Sequence, residues 1–152
     1  MILFIDDERR EMDSFVMELQ FEFGQDRVIF SSNVDEAFIL IEKHKDEIDL
    51  VLLDNMMPCG NRYKNEETQE GSRTGLFLYK DIRLQCPDIP IILFSNVPKV
   101  NILSDSSSSL EKEIMTMLEE EIQNSNNKKA DYLEKPDYFP YELVDVIKRI
   151  LA

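Results

Sequence analysis

Three acidic residues follow the first apolar run of the chain, at the point where a buried strand would end. The sequence "MILFIDDERR" places Asp6, Asp7 and Glu8 directly after Ile2–Ile5. Like charges at this spacing repel one another, and a carboxylate near a core needs a counter-charge or a cation. Clustered carboxylate oxygens are the ligands that Mg²⁺ prefers. The start of the chain therefore indicates either solvent-exposed loop acids or a metal site.

Other side chains that could take part in catalysis or binding follow later apolar runs. Asp54 follows "DLVLL", Ser95 follows "PIILF" and Lys135 follows "YLE". If these runs are parallel strands, their carboxyl ends meet at one edge of the sheet. A carboxylate held there beside a cation can attack phosphorus, and phosphoryl transfer requires mainly positioning and charge neutralisation. The lysine and the hydroxyl could then hold the oxygens of the phosphoryl group.

The elements that must position these residues alternate between two types of apolar pattern. Five short apolar runs of strand type are separated by segments with helical spacing of apolar residues. This alternation predicts an α/β fold with a five-stranded parallel sheet. The strand-type runs are 2–5, 28–30, 49–53, 90–94 and 132–133, and the helical segments are 12–23, 37–41, 75–84, 110–122 and 143–151.

Two stretches depart from this compact pattern. Residues 59–74 and 97–129 contain long polar segments, which we expect to be insertions around or between helices. The sequences "SDSSSS" and "NSNNKK" within the second stretch are typical of flexible flanks. Between them, Ser108 followed by Glu111 has the spacing of a capping box and marks the start of a helix. The 152 residues fit a single domain, 1–152, with one core.

Composition excludes several functions. The formal net charge of −14, from 17 Lys+Arg against 31 Asp+Glu, argues against binding nucleic acid and favours cations or basic protein surfaces. No apolar run is long enough to span a membrane, and the first run is too short for a signal peptide. Cys59 and Cys86 lack metal-ligand spacing and indicate reduced thiols in the cytoplasm. The single histidine argues against His-based metal sites and a histidine-kinase role.

Five motifs in a fixed order carry a family resemblance across almost the whole chain. They are "ILFIDDE", "DLVLLDNMMP", "GLFLYKDIR", "PIILFSN" and "YLEKP". With these motifs the chain resembles a response-regulator receiver domain, the phospho-accepting half of a two-component system. The resemblance implies a flavodoxin-like sheet in the order 2-1-3-4-5 with helices on both faces. Because no output domain follows the last helix, we expect a stand-alone receiver.

The resemblance assigns the acidic residues to phosphorylation and metal binding. Asp54 matches the phosphorylated aspartate of the family. Asp7 and Asp54 would ligate Mg²⁺ directly, and Asp6 would hold it through water. The backbone carbonyl of Met56 would supply the other protein ligand.

The resemblance also assigns residues that respond to the phosphoryl group. Ser95 matches the switch hydroxyl, and Lys135 matches the lysine that pairs with the phosphoryl group. Tyr132 matches the aromatic residue that changes rotamer on activation. Pro136 would follow a cis peptide bond, as in the family. Asn96 is a departure, since the family usually has a small residue at this position.

Three functions remain open from the sequence. The first is a receiver that takes a phosphoryl group from a histidine kinase or a histidine phosphotransfer protein, using Mg²⁺, and then binds a downstream protein. Such a receiver would catalyse only its own phosphorylation and dephosphorylation, and it is compatible with a homodimer. The second is a degenerate receiver that acts as a constitutive interaction module. The third is a phosphohydrolase of the haloacid-dehalogenase type, but its Asp-x-Asp pattern fails because Glu8 stands two residues after Asp6.

Overall fold

Five short strands form a parallel sheet at the centre of the molecule. The computed structural model describes residues 1–104, 108–124 and 128–152. The strands lie in the order β2-β1-β3-β4-β5, which confirms the predicted fold class. They are β1 (Ile2–Ile5), β2 (Val28–Ser31), β3 (Leu50–Leu53), β4 (Ile91–Ser95) and β5 (Ala130–Glu134).

Among the described residues, six α-helices connect the strands or follow the last one. They are α1 (Asp13–Phe23), α2 (Val34–His44), α3 (Thr74–Gln85), α4 (Lys99–Ser104), α5 (Ser109–Gln123) and α6 (Pro140–Leu151). Short 3₁₀ turns precede β2 and follow β5, at Gln25–Arg27 and Lys135–Asp137. None of the described helices is both long enough and apolar enough to cross a membrane.

The connection between β4 and β5 differs from the prediction, because it contains two helices rather than one. Helix α4 lies in the stretch that the sequence predicted to be polar padding. Its Ile102 is completely buried in the core, which anchors this short helix. The predicted flexible flanks include residues 105–107 and 125–127, which lie outside the described residues.

The core consists of two apolar layers, one on each face of the sheet. Side chains of β1 and β3 alternate between the layers, so these central strands are buried along their whole length. The first layer packs against α2, α3 and α5, and the second packs against α1 and α6. From the two central strands, Leu3, Ile5, Val51 and Leu53 join the first layer, and Ile2, Phe4, Leu50 and Leu52 join the second.

A long segment without regular secondary structure joins β3 to α3. We call residues 58–73 the strap. The Asn61 N–H donates to both carboxylate oxygens of Asp35 on α2, at 3.1 and 3.2 Å. The Tyr63 hydroxyl donates to Asp81 on α3 at 2.5 Å. The predicted insertion after β3 is therefore packed against two neighbouring helices.

Candidate functional site

Three carboxylates meet where the two central strands end. Ile5 and Leu53 are paired at the ends of β1 and β3, so the residues that follow them lie side by side. One carboxylate oxygen from each of Asp6, Asp7 and Asp54 lies within 4.8 Å of the others. Asp6 is fully buried and Asp54 is 5% exposed, whereas Asp7 faces solvent. The structure thus brings the three predicted acids into one cluster.

Lys135 supplies positive charge to this cluster from the end of β5. Its Nζ donates to Asp6 Oδ2 at 2.7 Å and lies 3.5 Å from Asp54 Oδ2. The predicted cis bond before Pro136 is wrong, since the described part of the chain contains no cis peptide bond. Pro136 instead lies within the 3₁₀ turn that starts at Lys135, and the fixed φ of proline suits such a helical turn in the trans form.

The environment of Asp54 disfavours its charged form. Burial and the negative charge of Asp6 raise the pKa of Asp54 to about 6. The charge of Lys135, the nearby Ser95 hydroxyl and a weak 3.4 Å hydrogen bond from the Met56 N–H act in the opposite direction. One lysine therefore does not fully balance the clustered carboxylates, and a further cation would be attracted to them.

The residues present fit a hard divalent cation such as Mg²⁺. Partial loss of solvent and the Asp6 charge also raise the pKa of Asp7. Asp7 is nevertheless an exposed residue, so the cluster is open to solvent on that side. Asp6, Asp7 and Asp54 offer only oxygen ligands, as Mg²⁺ prefers. When bound, the ion would neutralise the acids and hold an oxygen of a phosphoryl group. The Met56 carbonyl remains a predicted ligand, on a residue whose surface is 52% exposed.

Ser95 and Tyr132 connect the acidic cluster to the end of β4. Ser95 is fully buried; its hydroxyl accepts the Val97 N–H at 3.2 Å and favours the charged form of Asp54, which lowers the pKa of that carboxyl. The Tyr132 side chain points inward, where burial raises the pKa of its hydroxyl and the hydroxyl donates to the Val97 carbonyl at 2.5 Å. Asn96 is exposed. Both predicted switch residues thus meet at one backbone position.

Two residues that the sequence analysis missed hold Asp54 in place. Asn55 is fully buried, and its main-chain and side-chain oxygens accept the N–H groups of Gly75 and Leu76, at 2.9 and 3.2 Å. A Cβ at Gly75 would lie 2.2 Å from the Asp54 carbonyl oxygen, so only glycine permits this approach. In the sequence, Gly75 at the start of a helical pattern could have indicated close packing of the backbone at this position.

Comparison with known proteins identifies the fold. No protein-family model and no curated protein matches the sequence. A response regulator receiver domain protein (CheY-like) from Methanospirillum hungatei JF-1 matches with a TM-score of 0.62 and 21% identity, covering 99% of this chain and 91% of that chain. A response regulator from Thermotoga maritima also matches with a TM-score of 0.62 and 21% identity, covering 99% and 95%. The Vibrio cholerae chemotaxis protein CheY4 matches with a TM-score of 0.62 and 18% identity, covering 98% and 96%.

These structures share one architecture with this chain over nearly its whole length. The chain has the fold of response-regulator receiver domains, as the motifs predicted. At identities near 20%, the likeness concerns the fold alone. Any assignment of activity must come from the side chains at the ends of the strands.

Proposed function

We propose that this chain is a phosphorylatable receiver that accepts a phosphoryl group on Asp54 from a histidine kinase or a histidine phosphotransfer protein. One observation carries the proposal: Asp6, Asp7 and Asp54 converge at the sheet edge, and Lys135 contacts two of them. A receiver fold alone does not require this set of charges. Their convergence supports chemistry on Asp54 rather than a purely structural role for it.

The side chains have complementary roles in this reaction. The deprotonated carboxylate of Asp54 attacks phosphorus, so that an O–P bond forms as the N–P bond of the donor phosphohistidine breaks. The electron pair of the broken bond remains on the donor imidazole. The Lys135 ammonium and the Ser95 hydroxyl then hold oxygens of the transferred group. Mg²⁺ on the acidic cluster would contribute charge neutralisation.

Phosphorylation would change the charge balance that the structure shows. A phosphoryl group adds roughly 1.5 to 2 negative charges at pH 7. These charges would compete for the Ser95 hydroxyl and for Lys135, whose ammonium now contacts Asp6 and Asp54. We infer that the end of β4 and the side chain of Tyr132 rearrange in response, so that a downstream protein distinguishes the two forms. A cytoplasmic location and a homodimer stay predictions.

Incubation with acetyl phosphate and Mg²⁺, followed by intact mass measurement, tests the proposal. We expect the wild type to gain the mass of one phosphoryl group, and we expect Asp54→Asn and a magnesium-free sample to gain none. Asp88→Asn, a change at an exposed acid outside the cluster, is the matched control and should be phosphorylated normally.

Failure of this reaction would favour one of the two other functions. No adduct, together with no binding of the phosphoryl mimic beryllofluoride, would indicate a constitutive interaction module. Hydrolysis of a generic phosphate ester with many turnovers would indicate a phosphohydrolase.

A further inference from the structure

A buried ion pair joins the end of the strap to the first turn of α5. Arg73 is 5% exposed and Glu111 is 1% exposed, and Arg73 Nε lies 3.0 Å from Glu111 Oε1. The side-chain amide of Gln69 donates to both oxygens of the same carboxylate, at 3.0 and 3.3 Å. A carboxylate this deeply buried depends on such partners. The start of α5 is therefore held by residues of the strap.

A second ion pair joins α3 to α5 near the ends of both helices. Arg83 Nε lies 2.9 Å from Glu121 Oε2, and the Tyr79 hydroxyl also donates to Glu121. The residues of this pair are each ten positions further along the chain than those of the first pair, from 73 to 83 and from 111 to 121. The two helices thus run side by side in the same direction, with an ion pair near each end.

Residues on either side of Arg73 contact the turn that follows Asp54. The Thr74 hydroxyl donates to the Met57 carbonyl at 2.6 Å, and the Met57 N–H donates to the Gly71 carbonyl at 3.1 Å. The missing side chain of Gly75 allows α3 to touch the Asp54 carbonyl. Residues 71–75 are therefore bonded to the turn after Asp54. A shift of this turn would move Arg73, which lies within this segment.

Arg73 is also in electrostatic reach of the switch tyrosine. Burial raises the pKa of Tyr132, the negative charge of Asp54 raises it further, and the positive charge of Arg73 opposes the rise. The same phenol therefore senses both Asp54 and Arg73.

We propose that the Arg73–Glu111 ion pair couples the state of Asp54 to helix α5. This inference rests on the proposed function. Phosphorylation shifts the turn that follows Asp54 and, with it, residues 71–75, which weakens the contact between Arg73 and Glu111. The first turns of α5 are then released, while Arg83 and Glu121 keep the far end attached to α3. The start of α5 thereby becomes the part of the surface that reports phosphorylation.

Hydrogen exchange with and without beryllofluoride and Mg²⁺ tests this coupling. In the wild type, we expect beryllofluoride to speed amide exchange in the first two turns of α5 by about fivefold or more, the lower range of common allosteric couplings. In Glu111→Gln these turns should exchange rapidly already, with no further change. Glu121→Gln is the matched control, because it removes the same charge at the far end, and it should keep the wild-type response.

The fluorine NMR signal of bound beryllofluoride separates this inference from the proposed function. Absence of the signal from the wild type would contradict the proposed function itself. A bound signal with an equal response of α5 in wild type and Glu111→Gln, or with no response in the wild type, would overturn the coupling. If Glu111→Gln fails to fold, Gln69→Ala decides: a weakened α5 response supports the coupling, and an unchanged response overturns it.

Discussion

At the scale of single residues, the acidic cluster depends on one ammonium group. Lys135 is almost completely buried and contacts both Asp6 and Asp54, which are buried as well. Removing one partner of a buried pair leaves an uncompensated charge and commonly costs 3–5 kcal/mol, whereas the pair itself adds little net stability. The lysine thus stabilises the fold mainly by offsetting charges that the site requires.

We expect Lys135→Met to lower the free energy of unfolding by about 3 kcal/mol, because Asp6 then keeps a buried and unpaired charge. Adding Asp6→Asn to the same chain should recover most of this loss. Urea denaturation measures both effects. Lys128→Met is the control, since Lys128 pairs with Asp131 at the surface and such pairs contribute about 1 kcal/mol or less. Equal losses for the two lysines would contradict the prediction.

The close approach of Gly75 to Asp54 leads to a second prediction at the residue scale. Gly75→Ala should lower the free energy of unfolding by about 2 kcal/mol, since the new methyl group would overlap the Asp54 carbonyl oxygen. Alanine is otherwise the better helix former, so this loss cannot come from helix propensity. The same variant should bind beryllofluoride more weakly, because the backbone of Asp54 must move. Unchanged stability and binding would show that α3 can shift without cost.

At the scale of elements, the strap shows how a polar segment without secondary structure is held in place. Its backbone bonds to α2, its Tyr63 bonds to α3, and the Arg62 guanidinium lies 3.4 Å from the centre of the Phe38 ring. A cation over an aromatic face contributes about 0.5–1 kcal/mol at an exposed position. Side-chain contacts of this kind replace the backbone ladders of regular elements.

The strap contacts predict how readily trypsin cleaves after Arg62. Asp35→Ala removes both hydrogen bonds to the Asn61 N–H. Hydrogen bonds to charged groups contribute about 1.5–3 kcal/mol, so local opening, and with it native-state cleavage, should increase about tenfold. Glu36→Ala, on the same turn of α2, should leave the rate unchanged. Equal rates in Asp35→Ala and the wild type would indicate that these bonds do not restrain the strap.

At the scale of the whole molecule, the sequence predicted those features of the fold and the site that depend on local patterns of apolar and charged residues. The sheet follows from five apolar runs, and the acidic site follows because each of its residues ends such a run. Helix α4 escaped prediction because it is only six residues long, which is too short for a helical spacing of apolar residues to be recognised. The roles of Arg73 and Glu111 escaped it because their pairing depends on tertiary packing of segments 38 residues apart. Side chains that pair with residues far away in the chain produce no periodic pattern in the sequence by which the pairing could be recognised.

The net charge of −14 also acts at the scale of the whole molecule and leads to the last prediction. Sodium chloride should raise the melting temperature modestly, because it screens repulsion among the excess acids. Mg²⁺ at matched ionic strength should raise it further, because an ion bound only to the folded state adds about 1.4 kcal/mol at ten times its Kd. Thermal unfolding in the two salts measures the difference.

Asp54→Asn separates specific binding of Mg²⁺ from general screening. This variant removes one carboxylate of the cluster, so the additional effect of Mg²⁺ should shrink while the effect of sodium chloride stays the same. Asp88→Asn removes the same charge at the exposed surface and should keep both effects. If both salts stabilise the wild type equally at matched ionic strength, the three carboxylates do not form a specific cation site, and the excess negative charge acts only through long-range repulsion.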